Sequence, residues 1–302
     1  MKPLKLSVVV LAAFLAACGG KQQNADEEFE KNMSDTTTAE GPSISEEVIG
    51  DILQQIPAPL EISVLLKESG QKYNASLLNT PDNTSRYNSN FKKALNLGIY
   101  GTDLGYTNIY EQNQDGVKYM SSIKELADGL NIGQFFDIET IGRLATNSKN
   151  LDSLLLITTQ NFNNINHYLQ TQSRANLSVL LLTGGWVEAL HVVCNVAQSN
   201  PSKKELQETI GEQKVILENI MLLLSFYKDS DPNMASLLAD MEGLKKEYDK
   251  VNITYTYKES TFEIVDGVMV IKDNSTTTID ITSEDIKNIA TSINSIRNKI
   301  IS

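Results

Sequence analysis

The chain has 302 residues, 41% of them hydrophobic, with 26 basic against 38 acidic side chains and a net charge of −12. That much apolar material suffices for one large core or two smaller ones. The negative balance, with no basic patch to offset it, argues against nucleic acid as a partner, because lysine and arginine must displace the counterions of a phosphate backbone.

The chain opens with an export signal. Lys2 and Lys5 precede an apolar run from Leu6 to Ala17, shorter than the roughly 20 residues of a membrane helix and followed at once by a polar tail. Leu15, Ala16, Ala17 and Cys18 resemble the bacterial lipobox. The resemblance implies residues 1–17 as a lipoprotein signal peptide, a diacylglycerol on the Cys18 thiol and a further acyl chain, with no other cofactor. Two chains hold a protein firmly to a bilayer, at roughly 0.8 kcal/mol per buried methylene. Gly19 stands where that resemblance would place Asp in proteins kept at the inner membrane. The expected address is therefore the bacterial outer membrane, with the periplasmic face and the cell surface both open. Cleavage removes two lysines and leaves 24 basic against 38 acidic residues, a charge of −14, so the anchor and not the acidic body would hold the membrane. Only Cys194 then remains, which excludes an intramolecular disulfide.

Residues 18–43 are polar and acidic, too poor in apolar side chains to offset the entropy of folding, and are expected to form a disordered tether. Within them Asp26, Glu27 and Glu28 resemble the acidic export tags of surface-displayed lipoproteins in Bacteroidetes-type bacteria. A solvated linker charge run is the plainer alternative.

From residue 44 to 302 the pattern predicts a single helical domain: mainly α, a multi-helix bundle with one β-hairpin inserted before the C-terminal helix. A short helix over Glu46–Leu53 stops at Pro57, and a second covers Leu60–Lys67. Residues 70–85 read as a loop, and a long helix follows from Asn88 to about Tyr110. Further helices are predicted at 115–130, 135–146, 150–171, 176–198, 202–227 and 233–250, with short connections that favour antiparallel neighbours. Alternation in Ile253–Tyr257 and Thr278–Ile281 predicts strands at about 252–282, with Asp266-Gly267 as the turn. A hairpin alone is marginal in water, so it should lie on the bundle or meet a partner. Thr282 and Asp285 can cap a last helix with an isoleucine stripe at 286, 289, 293, 296 and 300.

Two segments carry polar groups in apolar settings. Ala94, Gly98, Gly101 and Gly105 share one face of the long helix, where another backbone could approach closely. Beside that face lie Tyr100, Asp103 and Tyr106, able to bind a ligand hydroxyl or amine, or equally to join helices through a structural network. The second segment runs from Gly184 to His191 and includes Trp186, Glu188 and His191. Its Glu-x-x-His spacing resembles di-iron bundles, but the only other histidine, His167, has Asn164 three residues before it, so no metal is expected. Cys194 sits among valines, where burial makes a thiol inert. No serine elbow or phosphate-binding glycine loop is present, so no catalytic residue is assigned.

The lipobox, the acidic tether, ALNLGIYGTDLGY at 94–106 and LLTGGWVEAL at 181–190 together resemble uncharacterised helical outer-membrane lipoproteins of Bacteroidetes-type bacteria. The resemblance implies the address and the helical body but no activity. The expectation is a non-catalytic binding or structural module at the outer membrane, with an envelope protein or small molecule as partner and the 252–282 hairpin as a possible contact arm. The alternative is a small-ligand receptor or enzyme with a polar pocket around Asp103 and Glu188.

Overall fold

The computed structural model describes residues 46–54, 56–57, 59–136, 150–265 and 268–302. The expected signal peptide, Cys18 and the expected tether lie outside them, as do most of the helix predicted at 135–146 and the predicted Asp266-Gly267 turn. Two short helices, α1 (Glu46–Gln54) and α2 (Leu60–Glu68), lead into a strap with 3₁₀ turns at Ala75–Leu77 and Pro81–Arg86. Then come α3 (Asn90–Ile109), α4 (Asn113–Gly129), a 3₁₀ turn at Gly133–Phe136, α5 (Leu151–Thr171), α6 (Ala175–Ser199), α7 (Lys204–Ser225) and α8 (Pro232–Tyr248). A β-arm follows, and α9 (Ser283–Ile301) ends the chain. Residues 44–302 form one compact unit, mainly helical as its periodicity predicts.

The centre is the pair α3 and α6, with α9, α7, α5 and α2 also against α6. By length and composition α6 could cross a bilayer, yet 94% of its most apolar window is buried inside the bundle. A helix apolar all round belongs in the middle of a large core, and α6 takes that place. Its neighbour α3 starts where the Ser89 side chain accepts from the Lys92 N–H. At the other end of the chain, Thr282 Oγ1 accepts from the Asp285 N–H while the Asp285 carboxylate accepts from the Thr282 N–H. That reciprocal cap fixes the start of α9 and turns its isoleucines inward.

The predicted hairpin before the C-terminal helix is present, interrupted once along its length. Strand β1 (Asn252–Thr256) pairs antiparallel with β4 (Thr276–Asp280), and β2 (Thr261–Val265) with β3 (Val268–Lys272), giving two ladders in series. Between them, residues 257–260 on one side oppose residues 273–275 on the other, so one strand carries an extra residue. Bulges of this kind bend an arm and re-aim its side chains. Here Phe262 comes opposite Ile271, and Ile264 opposite Met269. The junction is tied by Asn274 Nδ2 donating to the Glu259 carbonyl and Ser275 Oγ accepting from the Lys258 N–H. The inner ladder rests on α7, where the Ile279 side chain meets Gly211.

Candidate functional site

The glycine faces of α3 and α6 close on each other. A methyl group on Gly98 would overlap the Leu181 carbonyl oxygen and come within 2.7 Å of the Gly185 nitrogen. One on Gly184 would overlap the Leu95 carbonyl oxygen and lie 2.7 Å from its carbon. Thr102 Oγ1 adds a hydrogen bond of 3.1 Å to the Gly185 carbonyl. The close approach expected of α3 is therefore made, and its partner is the Gly184-Gly185 pair.

The polar residues of the two helices meet on the other side of this contact. Arg297 of α9 forks onto Glu188, Nε to Oε2 at 2.6 Å and Nη2 to Oε1 at 2.7 Å, with both side chains buried. Asp103 is wholly buried beside them; its Oδ2 accepts from the Asn79 N–H at 3.1 Å. Its Oδ1 has no partner if the group is ionised. Burial first, and the Glu188 charge second, raise the Asp103 carboxyl well above the usual range, against the opposing pull of Arg297. A proton on Oδ1 supplies the donor that this oxygen lacks. Donated toward Glu188, it removes the orphan and the like-charge repulsion together, leaving two carboxyl groups, one proton and one guanidinium.

His191 joins the same network one turn along α6. Its Nε2 lies 3.0 Å from the Leu77 carbonyl, which also accepts from Arg297 Nη2 at 3.2 Å. Burial and the nearby Arg297 lower the His191 pKa, favouring the neutral ring. A neutral ring has one N–H for two facing oxygens, the Leu77 carbonyl at Nε2 and Asn294 Oδ1 of α9 at Nδ1, and Asn195 Nδ2 lies 3.2 Å from Nδ1.

Tyr100 and Tyr106 do not donate to Asp103. Tyr100 Oη donates to the Thr80 carbonyl at 2.8 Å, and Tyr106 Oη accepts from the Asn74 N–H at 3.2 Å. With Asp103 on Asn79, all three predicted residues of α3 hold the same strap, residues 73–87, over the bundle. Trp186 stands elsewhere, its Nε1 donating to Gln213 on α7 at 2.9 Å beside a cleft of about 240 Å³. Among the described residues, no three His, Cys, Asp or Glu side chains are grouped to hold a metal ion. Cys194 is fully buried, and that burial pushes its thiol up, away from reactivity.

The sequence reading missed Arg297 and Asn79. Arg297 had a signal, since it lies four residues after Ile293 on the apolar stripe of α9, where a charge needs a buried partner. Asn79 had none, being one polar residue in a polar loop. A larger, apolar cavity of about 290 Å³ opens on the glycine side of α3. Asp103, Glu188 and His191 line neither space. Comparison with protein-family models, with curated proteins and with solved structures gives no match.

Proposed function

We propose that the chain is a lipid-anchored, non-catalytic binding module of the bacterial outer membrane, acylated on Cys18, that engages another envelope protein through its β-arm. The observation that carries this reading is one face of the outer ladder. Phe262, Ile264, Met269 and Ile271 stand side by side there, 67%, 79%, 70% and 66% exposed. Contiguous apolar side chains on a surface favour an interaction site, whereas single ones do not. Glu263 and Lys272 form an ion pair in the same ladder, and the chain's net charge is −12. Both argue for a protein partner with an apolar groove or an open strand edge over an anionic bilayer. Glu188, His191 and Arg297 are engaged with one another or with the strap, and Asp103 is held by the strap, which supports binding over catalysis.

A photo-crosslinking residue at Ile271 in living cells tests the arm. One discrete adduct, lost when Phe262→Ser and Ile264→Ser are combined in a protein that keeps its helical circular dichroism, is expected. An adduct pattern that the double variant leaves unchanged overturns the arm's role. Mass spectrometry of the mature amino terminus tests the anchor separately: an unacylated Cys18 removes it.

A further inference from the structure

We infer that the cavity beside the glycine face of α3 is a binding site for an uncharged ligand with a single apolar chain of about ten carbons. The space, about 290 Å³, lies among α1, α2, α3, α4, α5 and α6. Its depth is apolar, with Leu53, Leu97, Ile123, Ile165 and Leu182 buried around it. Its polar liners are amides and hydroxyls; Gln54, Asn108, Thr159 and Asn163 lie at least partly open to solvent, whereas Thr102 is buried and bonded to the Gly185 carbonyl. None of the described residues lining it carries a charge, in a chain where 21% of residues do. An apolar interior with a few neutral polar groups matches a small-molecule site. Burying an ionised headgroup against such a wall would leave it without a counter-charge.

Gly101 adds a second observation. Glycine inside a helix costs about 1 kcal/mol relative to alanine. Gly98 admits the α6 backbone, and a methyl on Gly105 would strike the Leu60 side chain. A methyl on Gly101, by contrast, would meet nothing within 4 Å. Gly101 is also exposed on a helix whose neighbouring turns are buried, because it faces the cavity. Packing among the described residues thus gives no reason for its missing side chain, whereas a ligand against the helix does. An apolar cavity of about 150 Å³ takes benzene. Twice that space holds on the order of twelve heavy atoms, the size of decanol.

The test uses residues 18–302, without the signal peptide and carrying Cys18→Ala so that no acyl chain is attached, and titrates them with the n-alcohols from hexanol to tetradecanol. Calorimetry should show one saturable site whose affinity rises about fourfold per methylene and stops rising near ten carbons. Decanoate and decylammonium should bind at least tenfold more weakly than decanol. Gly101→Leu should abolish binding while raising the melting temperature of the empty protein, and Gly101→Ala should weaken it only partly. Three results would each overturn the site: no saturable alcohol binding, a chain-length series without a limit, or Gly101→Leu binding decanol like the parent. Decanoate binding as tightly as decanol would overturn the uncharged class.

Discussion

Gly98→Ala and Gly184→Ala probe the contact on which the bundle is built, and Gly101→Ala provides the control within the same helix. A methyl group in ordinary contact sits 3.4–4 Å from its neighbours, but at Gly98 and Gly184 it would meet carbonyl groups of the facing backbone far inside that range. Those atoms belong to a helix and cannot rotate aside, so α3 and α6 must separate by more than 1 Å. Overpacking a core costs about 1–3 kcal/mol, and a clash with fixed backbone belongs at the upper end. Alanine returns about 1 kcal/mol of helix propensity. The net loss should be about 2 kcal/mol for either substitution, read as a lower urea midpoint with an unchanged slope. The double variant should lose less than the sum, because helices already parted by one methyl accept the second more easily. Gly101→Ala meets no atom and should gain up to about 1 kcal/mol. The reasoning fails if Gly98→Ala is as stable as the parent, or if Gly101→Ala is the more damaging of the two.

Asp103→Asn should flatten the dependence of stability on pH. The folded-state pKa is raised, so the contribution of the neutral acid is complete below the unfolded value of about 3.9 and is lost as pH rises through the folded-state pKa. Relative to the variant, the parent should weaken from about pH 4 upward in urea titrations; a difference that does not change with pH would exclude a neutral Asp103. Arg297→Met should cost about 3–5 kcal/mol by stranding Glu188. Adding Glu188→Leu should recover most of that loss, and a double variant no better than the single would show that packing rather than charge pairing is at stake.

Most helices were legible because the core is thick and their apolar positions recur at helical spacing, with Thr282 marking one of the starts. The strand segments showed through alternation at Ile253–Tyr257 and Thr278–Ile281. What escaped was pairing across distance. Nothing local says that Gly98 faces Leu181, or that an arginine 109 residues beyond Glu188 neutralises it. The arm's extra residue was equally hidden, since register follows from which strands meet and not from either strand alone. Asp103, Glu188 and His191 were identified as unusual because a polar group on an apolar face is visible in one dimension. Whether such groups face a ligand or each other is a property of the third.

The Glu188–Arg297 ion pair also bears on the proposed export of the chain. On the proposed export route it passes a translocon unfolded, and there α6 is a 25-residue stretch with the composition of a stop-transfer segment. A charged side chain at the centre of such a stretch opposes lateral partitioning into lipid by about 3 kcal/mol, against gains of about 0.3–0.6 kcal/mol from each leucine, isoleucine, valine or phenylalanine. Glu188 lies close to that centre. On that proposed route, the carboxylate that Arg297 neutralises after folding would oppose lodging of the segment in the inner membrane. Glu188→Leu in an exported fusion should raise the fraction retained at the inner membrane, and unchanged passage would sever the link between this core charge and secretion.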